Sequence, residues 1–227
     1  MSDSVLKIGA SAFYNCDKLT NIKLSESIIS IENNTFDSCD KLTNINIPKS
    51  VLSIKEKAFM GCFSLKQIEI SENLELFASG AFSYCTSLVA INVSNLNSNY
   101  KSVDGNVYTK DGKLLVQYAV GKKDTYYDVL DGVETIGFRA FSGAKNLVQV
   151  NLPNSLKEID NFAFDGCTKL TKIVIPLNVS KIGYGTFYLD SKLTIYCKVS
   201  SKPSNWDKNW NKLNDGSNVP VIWGYIE

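Results

Sequence analysis

Histidine is absent from all 227 residues, which removes the commonest general base and the commonest metal ligand together. A charge excess is missing too: 24 basic and 23 acidic residues leave a net charge of +1, with no long run of one sign. So balanced a chain has no electrostatic footprint for nucleic acid or an anionic membrane surface. No apolar stretch approaches the ~18 residues of a membrane-spanning helix, so membrane insertion is not expected. The opening MSDSVLKIGASAF lacks a basic start followed by an apolar run and does not read as a secretory signal. No Cys-x-x-Cys pair, glycine-rich phosphate loop, Gly-x-Ser-x-Gly elbow or His-Glu-x-x-His occurs, and the carboxylates form no converging pair. These absences argue against an enzyme, against a structural zinc and against any cofactor.

What the chain does have is a phrase of 23 residues, written seven times. The first copy opens at Ile8, and others open at Ile31, Ile54, Phe77, Ile136, Ile159 and Ile182. A fixed period of this size marks a solenoid, in which each small unit buries its apolar face on its neighbours. Within each copy the pattern is I-x-x-x-(A/T)-F-x-x-C-x-x-L-x-x-I-x-(I/L/V). The second half alternates with period 2 and predicts short strands over 19–24, 42–47, 65–70, 88–93, 147–152 and 170–175. Stacked one per copy, they would form a parallel sheet spaced by roughly 4.8 Å. The (A/T)-F pair predicts a helical or 3₁₀ turn on the opposite side. Its Phe13, Phe36, Phe59, Phe82, Phe141, Phe164 and Phe187 would stack into a buried spine, each burial worth about 1.5–3 kcal/mol.

Cys16, Cys39, Cys62, Cys85 and Cys167 share one slot of the repeat, which Ala144 and Asp190 fill in two other copies. Stacked side chains point in parallel, which suits a disulfide poorly; a ladder of buried thiols capping backbone groups is the expectation. Cys197 lies off the ladder and reads as a partly exposed thiol. Between the copies opening at Phe77 and Ile136 the phase is broken by an insertion over 96–132. Lys110-Asp111-Gly112 between apolar runs signals a hairpin, with a further strand around Tyr126 and Tyr127. Tyr108, Tyr118, Tyr126 and Tyr127 give this stretch an interface-like composition; a small tyrosine-rich satellite core is the competing reading. After residue 198 the tail over 199–227 carries Trp206, Trp210 and Trp223 and reads as a cap of the same domain. Tryptophans can also stack on sugar rings. No comparable cap precedes Ile8, which suggests a domain of a longer protein.

The runs NCDKLTNIKL, SCDKLTNINIP and GCTKLTKIVIP, with I-(G/E)-x-x-(A/T)-F, resemble the BspA-like class of leucine-rich repeats. The resemblance implies an α/β leucine-rich-repeat solenoid over 1–198, with its parallel sheet on the concave face, helical or 3₁₀ turns opposite and a β-hairpin insertion. It also implies a non-enzymatic module of a cell-surface or secreted protein, adhering to host matrix proteins such as fibronectin or fibrinogen or to other cells. The solvent-pointing sheet positions are then the candidate binding residues: Asn21, Lys23, Asn44, Asn46, Gln67, Glu69, Asn92, Gln149, Asn151 and Lys172. Those amides could equally serve only to keep the solenoid soluble. A structural spacer, or a carbohydrate-binding module using the Tyr and Trp side chains, are the alternative functions.

Overall fold

Every copy of the repeat turns its corner with two residues in the left-handed region, three and seven positions after its opening residue. They are Ser11 and Asn15 in the first copy (φ 58° and 59°), Lys57 and Gly61 in the third (55° and 70°), and Phe162 and Gly166 in the sixth (56° and 73°). A left-handed residue every fourth position cannot belong to a right-handed helix. In the computed structural model, which describes residues 1–226, no helix is present among the described residues. The helical turns expected opposite the sheet are instead consecutive β-turns: Ala58 N–H donates to Lys55 O (3.3 Å), Met60 N–H to Lys57 O (3.1 Å) and Cys62 N–H to Phe59 O (3.2 Å). The architecture is therefore a β-solenoid of about eight turns of stacked parallel strands, and not an α/β one.

Adjacent coils are tied at these corners by main-chain bonds, such as Phe13 N–H to Thr35 O (2.8 Å) and Phe36 N–H to Ala58 O (2.8 Å). This register stacks the rings of Phe13, Phe36, Phe59 and Phe82 with centroids 4.8–5.2 Å apart, and those of Phe141, Phe164 and Phe187 at 4.8 and 5.6 Å. The thiol ladder lies beside the spine. Cys39, Cys62, Cys85 and Cys167 each donate S–H to the carbonyl of the preceding coil's Phe, at 3.0–3.3 Å. All six cysteines are free. Cys197 is fully buried, not partly exposed, because the tail covers it; burial pushes its thiol up to about 12, as it does that of Cys39.

The first strands are β1 (Ser30–Ile31), β2 (Ser53–Ile54), β3 (Gln67–Ile70), β4 (Leu76–Phe77) and β5 (Ala90–Val93). The chain then forms an antiparallel meander of β6 (Tyr100–Val103), β7 (Asn106–Thr109) and β8 (Leu114–Gln117). β9 (Tyr126–Asp128), β10 (Thr135–Ile136), β11 (Gln149–Asn151), β12 (Glu158–Ile159), β13 (Lys172–Ile175), β14 (Lys181–Ile182), β15 (Thr194–Cys197) and β16 (Val221–Trp223) follow. Two parallel stacks result. A narrow one joins β1-β2-β4 and, after the meander, β8-β10-β12-β14; a broad one joins β3-β5 and β9-β11-β13-β15-β16. The segments at 19–24 and 42–47 are not regular strands, although Thr43 N–H donates to Thr20 O (3.1 Å) across them.

The insertion over 96–132 is smaller than expected and differently placed. Leu115 pairs in register with Ile136, and Tyr127 with Val150, so residues 115–135 make a coil of their own. That coil has 21 residues (136 − 115), two short of the repeat, and its corner is cut away. Tyr84 N–H skips over it to donate to Ser142 O (2.9 Å). Tyr118 takes the Phe position, 5.0 Å from the Phe141 ring, and the Gln117 amide donates to Ala140 O (3.0 Å). Only the meander is extra, and it is built into the core. Val107 and Val116 face the N-terminal hydrophobic cluster, while Tyr108 and Leu115 face the C-terminal one, and all four are fully buried. The meander is thus a two-sided partition. At its tip Gly105 O accepts from Ile91 N–H (2.9 Å) beside β5. Gly105 has φ 73°, and a Cβ there would sit 3.0 Å from Ala90 Cα, so glycine fits where a side chain does not.

The tail closes the far end of the core. Trp210 meets the Phe187 ring edge-on (6.0 Å), and buried Trp206 donates its indole N–H to Val179 O (3.2 Å).

Candidate functional site

Strand alternation decides which side chains the broad sheet offers to solvent. In β3 the residues Ile68 and Ile70 are buried and Gln67 and Glu69 exposed; in β13 Ile173 and Ile175 are buried while Lys172 and Val174 point outward. The ten residues expected on this face lie on it: Asn21, Lys23, Asn44, Asn46, Gln67, Glu69, Asn92 and Asn151 are exposed, and Gln149 and Lys172 half-buried. Glu69, Asn92, Gln149 and Asn151 make side-chain bonds within the face. Asn92 donates its amide to Glu69 Oε1 (2.8 Å), Gln149 to Asn151 Oδ1 (2.7 Å) and Asn151 to Asp128 Oδ1 (2.6 Å). Holding a polar side chain in place before contact lowers the entropy lost on binding.

The meander tip divides the face. The first part is an amide surface with a shallow concavity of about 360 Å³ that holds Asn46 and Glu69 and is edged by the Lys49–Glu72 ion pair (3.0 Å). The second part has aromatic rings and charged side chains of both signs. Tyr126 and Asp128 of β9 stand beside Gln149 and Asn151 of β11, so Tyr126 belongs to the sheet face and not to a lateral hairpin. Lys172 follows, its ammonium 5.1 Å from the ring centroids of both Tyr196 and Tyr225 and bonded to the Tyr225 hydroxyl (3.2 Å). A concavity of about 340 Å³ contains Gln149, Asn151, Asn154, Lys172 and Lys198. Its neighbour, about 380 Å³, contains Asp128, Asp131 and again Asn151.

Tyr196, Tyr225, Lys198, Asp128 and Ile222, which stands exposed beside Tyr196 in β16, escaped the sequence reading. Asp128 and Tyr126 were within reach of it, since subtracting one period from Asn151 and Gln149 gives both positions. Ile222 and Tyr225 come from the tail, which has no repeat to count from.

The remaining tyrosines of the insertion do not form a surface. Tyr108 and Tyr118 are buried, because strands β7 and β8 have a hydrophobic cluster on either side. Tyr127 points inward, its hydroxyl bonded to that of Tyr108 (2.5 Å) and to the Asn106 amide (3.1 Å). Burial raises the Tyr108 and Tyr127 hydroxyls above their ordinary pKa. Trp206 and Trp210 are likewise buried, which leaves them no face for a sugar ring.

No group of three His, Cys, Asp or Glu side chains among the described residues is placed to hold a metal ion. The acids whose carboxyls burial raises, Asp37, Asp165 and Asp190, lie inside the corners of the coils. Asp165 accepts from Arg139 (2.7 Å) and Ser142 (3.2 Å), and Asp190 is fully buried. Burial raises both carboxyls, with Arg139 opposing the shift at Asp165. They are packing features, remote from either concavity.

The sequence matches the family model for BspA type leucine rich repeat regions in six copies, over residues 1–113 and 122–205. No match is found among curated proteins. Among solved structures, the fold is similar to a leucine-rich repeat protein from Eubacterium ventriosum (TM-score 0.74, 23% identity, 92% of this chain and 63% of that one). It is also similar to a leucine rich cell surface protein from Faecalibacterium prausnitzii (0.69, 23%, 96% and 63%) and to the pneumococcal vaccine antigen PcpA (0.59, 21%, 88% and 59%). The chain spans less than two thirds of the length of each of these proteins.

Proposed function

The chain belongs to the BspA-type leucine-rich-repeat family, and we propose that it is a non-enzymatic protein-binding module of a cell-surface or secreted bacterial protein that binds through its broad sheet face. The observation that carries this is the face itself. Its polar and aromatic side chains stand on a backbone whose inner residues are buried, and Glu69, Asn92, Asp128, Gln149 and Asn151 are already held by bonds within the face. Such a surface binds with little ordering cost, and a stable complex needs roughly 1,000 Å² of buried area, which a stack of several coils can offer. Adhesion to host matrix is the narrower reading, supported by the family resemblance.

The test is surface-immobilised binding of the chain to fibronectin and to fibrinogen, beside a variant carrying Asn44→Lys, Glu69→Lys and Asn151→Lys. The expected result is saturable binding to one of them, lost in the variant while its circular dichroism and melting stay those of the parent. Binding that survives in the variant would refute the sheet face as the site. Absence of binding to either protein would refute host-matrix adhesion.

A further inference from the structure

In each coil the narrow stack turns two residues outward just before its buried isoleucine or phenylalanine. Towards the C-terminus these positions hold Glu134 and Thr135, Lys157 and Glu158, then Ser180 and Lys181. They are tied into a ladder of ion pairs: Lys113 and Lys157 both reach Glu134 (3.3 and 2.7 Å), and Lys181 reaches Glu158. In the first four coils the same positions hold Leu6 and Lys7, Ile29 and Ser30, Leu52 and Ser53, then Glu75 and Leu76. Leu6, Ile29, Leu52 and Leu76 are 69, 62, 37 and 42% exposed. Since the fold accepts charged side chains at these places, its own packing does not require the four apolar ones. Leu6 and Ile29 line a concavity of about 230 Å³, and Leu76 shares one of about 530 Å³ with Phe77, Tyr100, Leu114 and Phe138. A contiguous exposed apolar stripe rimmed by polar residues marks a contact surface.

The charges beside the stripe identify what covers it. Lys7 lies in its first coil and Glu75 in its fourth; Glu32 follows β1 in the second coil and Lys55 follows β2 in the third. None of these four takes part in an ion pair among the described residues. We propose that the stripe binds a second copy of this chain, with the two solenoids antiparallel about a two-fold axis passing between the coils of Ile29 and Leu52. A two-fold contact is self-complementary, so the first coil meets the partner's fourth and the second meets the partner's third. Ile29 then packs on the partner's Leu52, and Leu6 on the partner's Leu76. Lys7 meets the partner's Glu75, and Glu32 the partner's Lys55. A parallel pairing would lay each coil on its own equivalent, with Lys7 on the partner's Lys7 and Glu75 on the partner's Glu75, so charge selects the antiparallel arrangement. Four coils at about 4.8 Å each make a contact about 19 Å long. That is at the small end of specific interfaces, so the dimer is a weak one. The surface lies on the narrow stack and does not draw on the reading of the broad face.

Sedimentation equilibrium of the full chain, from about 10 μM to 1 mM, should show a reversible monomer–dimer equilibrium. Ile29→Glu should raise the dissociation constant at least ~10-fold, while Lys157→Gln, on the ion-pair ladder, should leave it within about 2-fold. Lys7→Glu and Glu75→Lys should each weaken the dimer by about 3-fold or more, because each sets like charges together. The chain carrying both changes should recover the parent's affinity. Within one chain the two residues are three coils, about 14 Å, apart, so recovery reports a contact between copies. All the substituted side chains are exposed, and melting at a concentration where the chain is monomeric checks that each variant folds as the parent does. Even where Ile29→Glu costs folding stability, the charge swap decides alone. A monomer throughout the range, association that continues past the dimer, or a dimer that withstands Ile29→Glu would each overturn the proposal. So would losses from Lys7→Glu and Glu75→Lys that add in the double variant instead of cancelling.

Discussion

Asp190 fills the thiol slot of the last full copy, and replacing it with the residue that the slot usually holds should stabilise the protein in a pH-dependent way. The slot's function is visible four times: a thiol donates to the carbonyl of the preceding coil's Phe. For Asp190 the equivalent acceptor is Phe164 O. An ionised carboxylate has no proton to donate, and neither oxygen of the fully buried Asp190 has a hydrogen-bond partner. The main-chain N–H of Cys167 lies close enough to favour the anion slightly, but it is already given to Phe164 O (3.1 Å). Burial, and then the charge of Asp165, raise the Asp190 carboxyl well above its ordinary value. Asp165 is itself bound by Arg139 and Ser142, and the neighbouring Cys167 thiol is raised by its own burial, so no cation faces Asp190 to reverse the shift.

A carboxyl raised in the folded state contributes stability that is fully present below its unfolded pKa, near 3.9, and is lost as pH climbs through the folded value. The stability of the parent protein should therefore decline from about pH 4 upward, in part through this group. Asp190→Cys removes the titration and restores a donor, so its advantage should be small near pH 4 and grow towards pH 7. An unsatisfied buried polar group costs about 1–3 kcal/mol, and each kcal/mol moves the midpoint by roughly 2–4 °C in a chain of this size. The expected gain at pH 7 is thus about 2–12 °C. Thermal melts of parent, Asp190→Cys and Asp190→Ala from pH 4 to 8 measure it; Asp37 and Asp165, also raised, titrate in all three and cancel in the differences to first order. A parent-to-variant difference that stays flat across this range would refute the account of Asp190. A Cys variant no more stable than the Ala variant would refute the thiol as a contributing donor.

Two further outcomes follow from the same core. Phe59→Ala, at a fully buried ring stacked 5.2 Å from Phe36 and 4.8 Å from Phe82, should cost about 3–5 kcal/mol in urea unfolding, and a loss below 1 kcal/mol would contradict a continuous spine. In a thiol-reagent titration of the native protein Cys16, the one cysteine that is not fully buried, should react first, and the other five only on unfolding. Prompt reaction of Cys39 or Cys197 would contradict their burial.

Much of this core could be read from the chain because the repeat reports each packing decision several times. Seven phenylalanines at one position imply a stacked spine, and five cysteines at another imply a shared acceptor. The corner was legible as well, but in a different residue type. Gly61, Gly143 and Gly166 recur seven positions after the opening residue, with Asn15 at the same place, a signature of left-handed backbone rather than of a helix. It was obscured because Ser38, Tyr84 and Leu189 occupy that position elsewhere, at φ 61°, 60° and 71°, held there by the stack against their own preference. The coil over 115–135 was hidden for the opposite reason. Losing two residues at its corner destroys the period, and only inter-coil hydrogen bonds show that Tyr118 has replaced a phenylalanine and Tyr127 a strand isoleucine or valine. On the broad face, alternation alone located the exposed amides; the aromatic and charged C-terminal part needed the tail, whose packing has no precedent within the chain.

The meander explains why one sheet face has two chemistries. A hairpin hung on the flank of a solenoid would leave one side of its strands to solvent, and its tyrosines would then be free for recognition. Here successive residues Val107 and Tyr108 enter opposite clusters, so a residue on either side of the strand is buried and no recognition surface is left on it. What the insertion does change is the broad sheet. Its tip at Gly105 lies against β5 where the next parallel strand would otherwise pair, and β9 begins a fresh sheet beyond it. A partner chain crossing the face therefore meets exposed amides up to Asn92, a break, and then the tyrosine-bearing part that begins at β9. Substitutions on the two sides of that break share no partner, so their effects on binding should add. Coupling between Glu69→Lys and Asn151→Lys in a double-mutant cycle would show instead that one ligand group bridges the two parts.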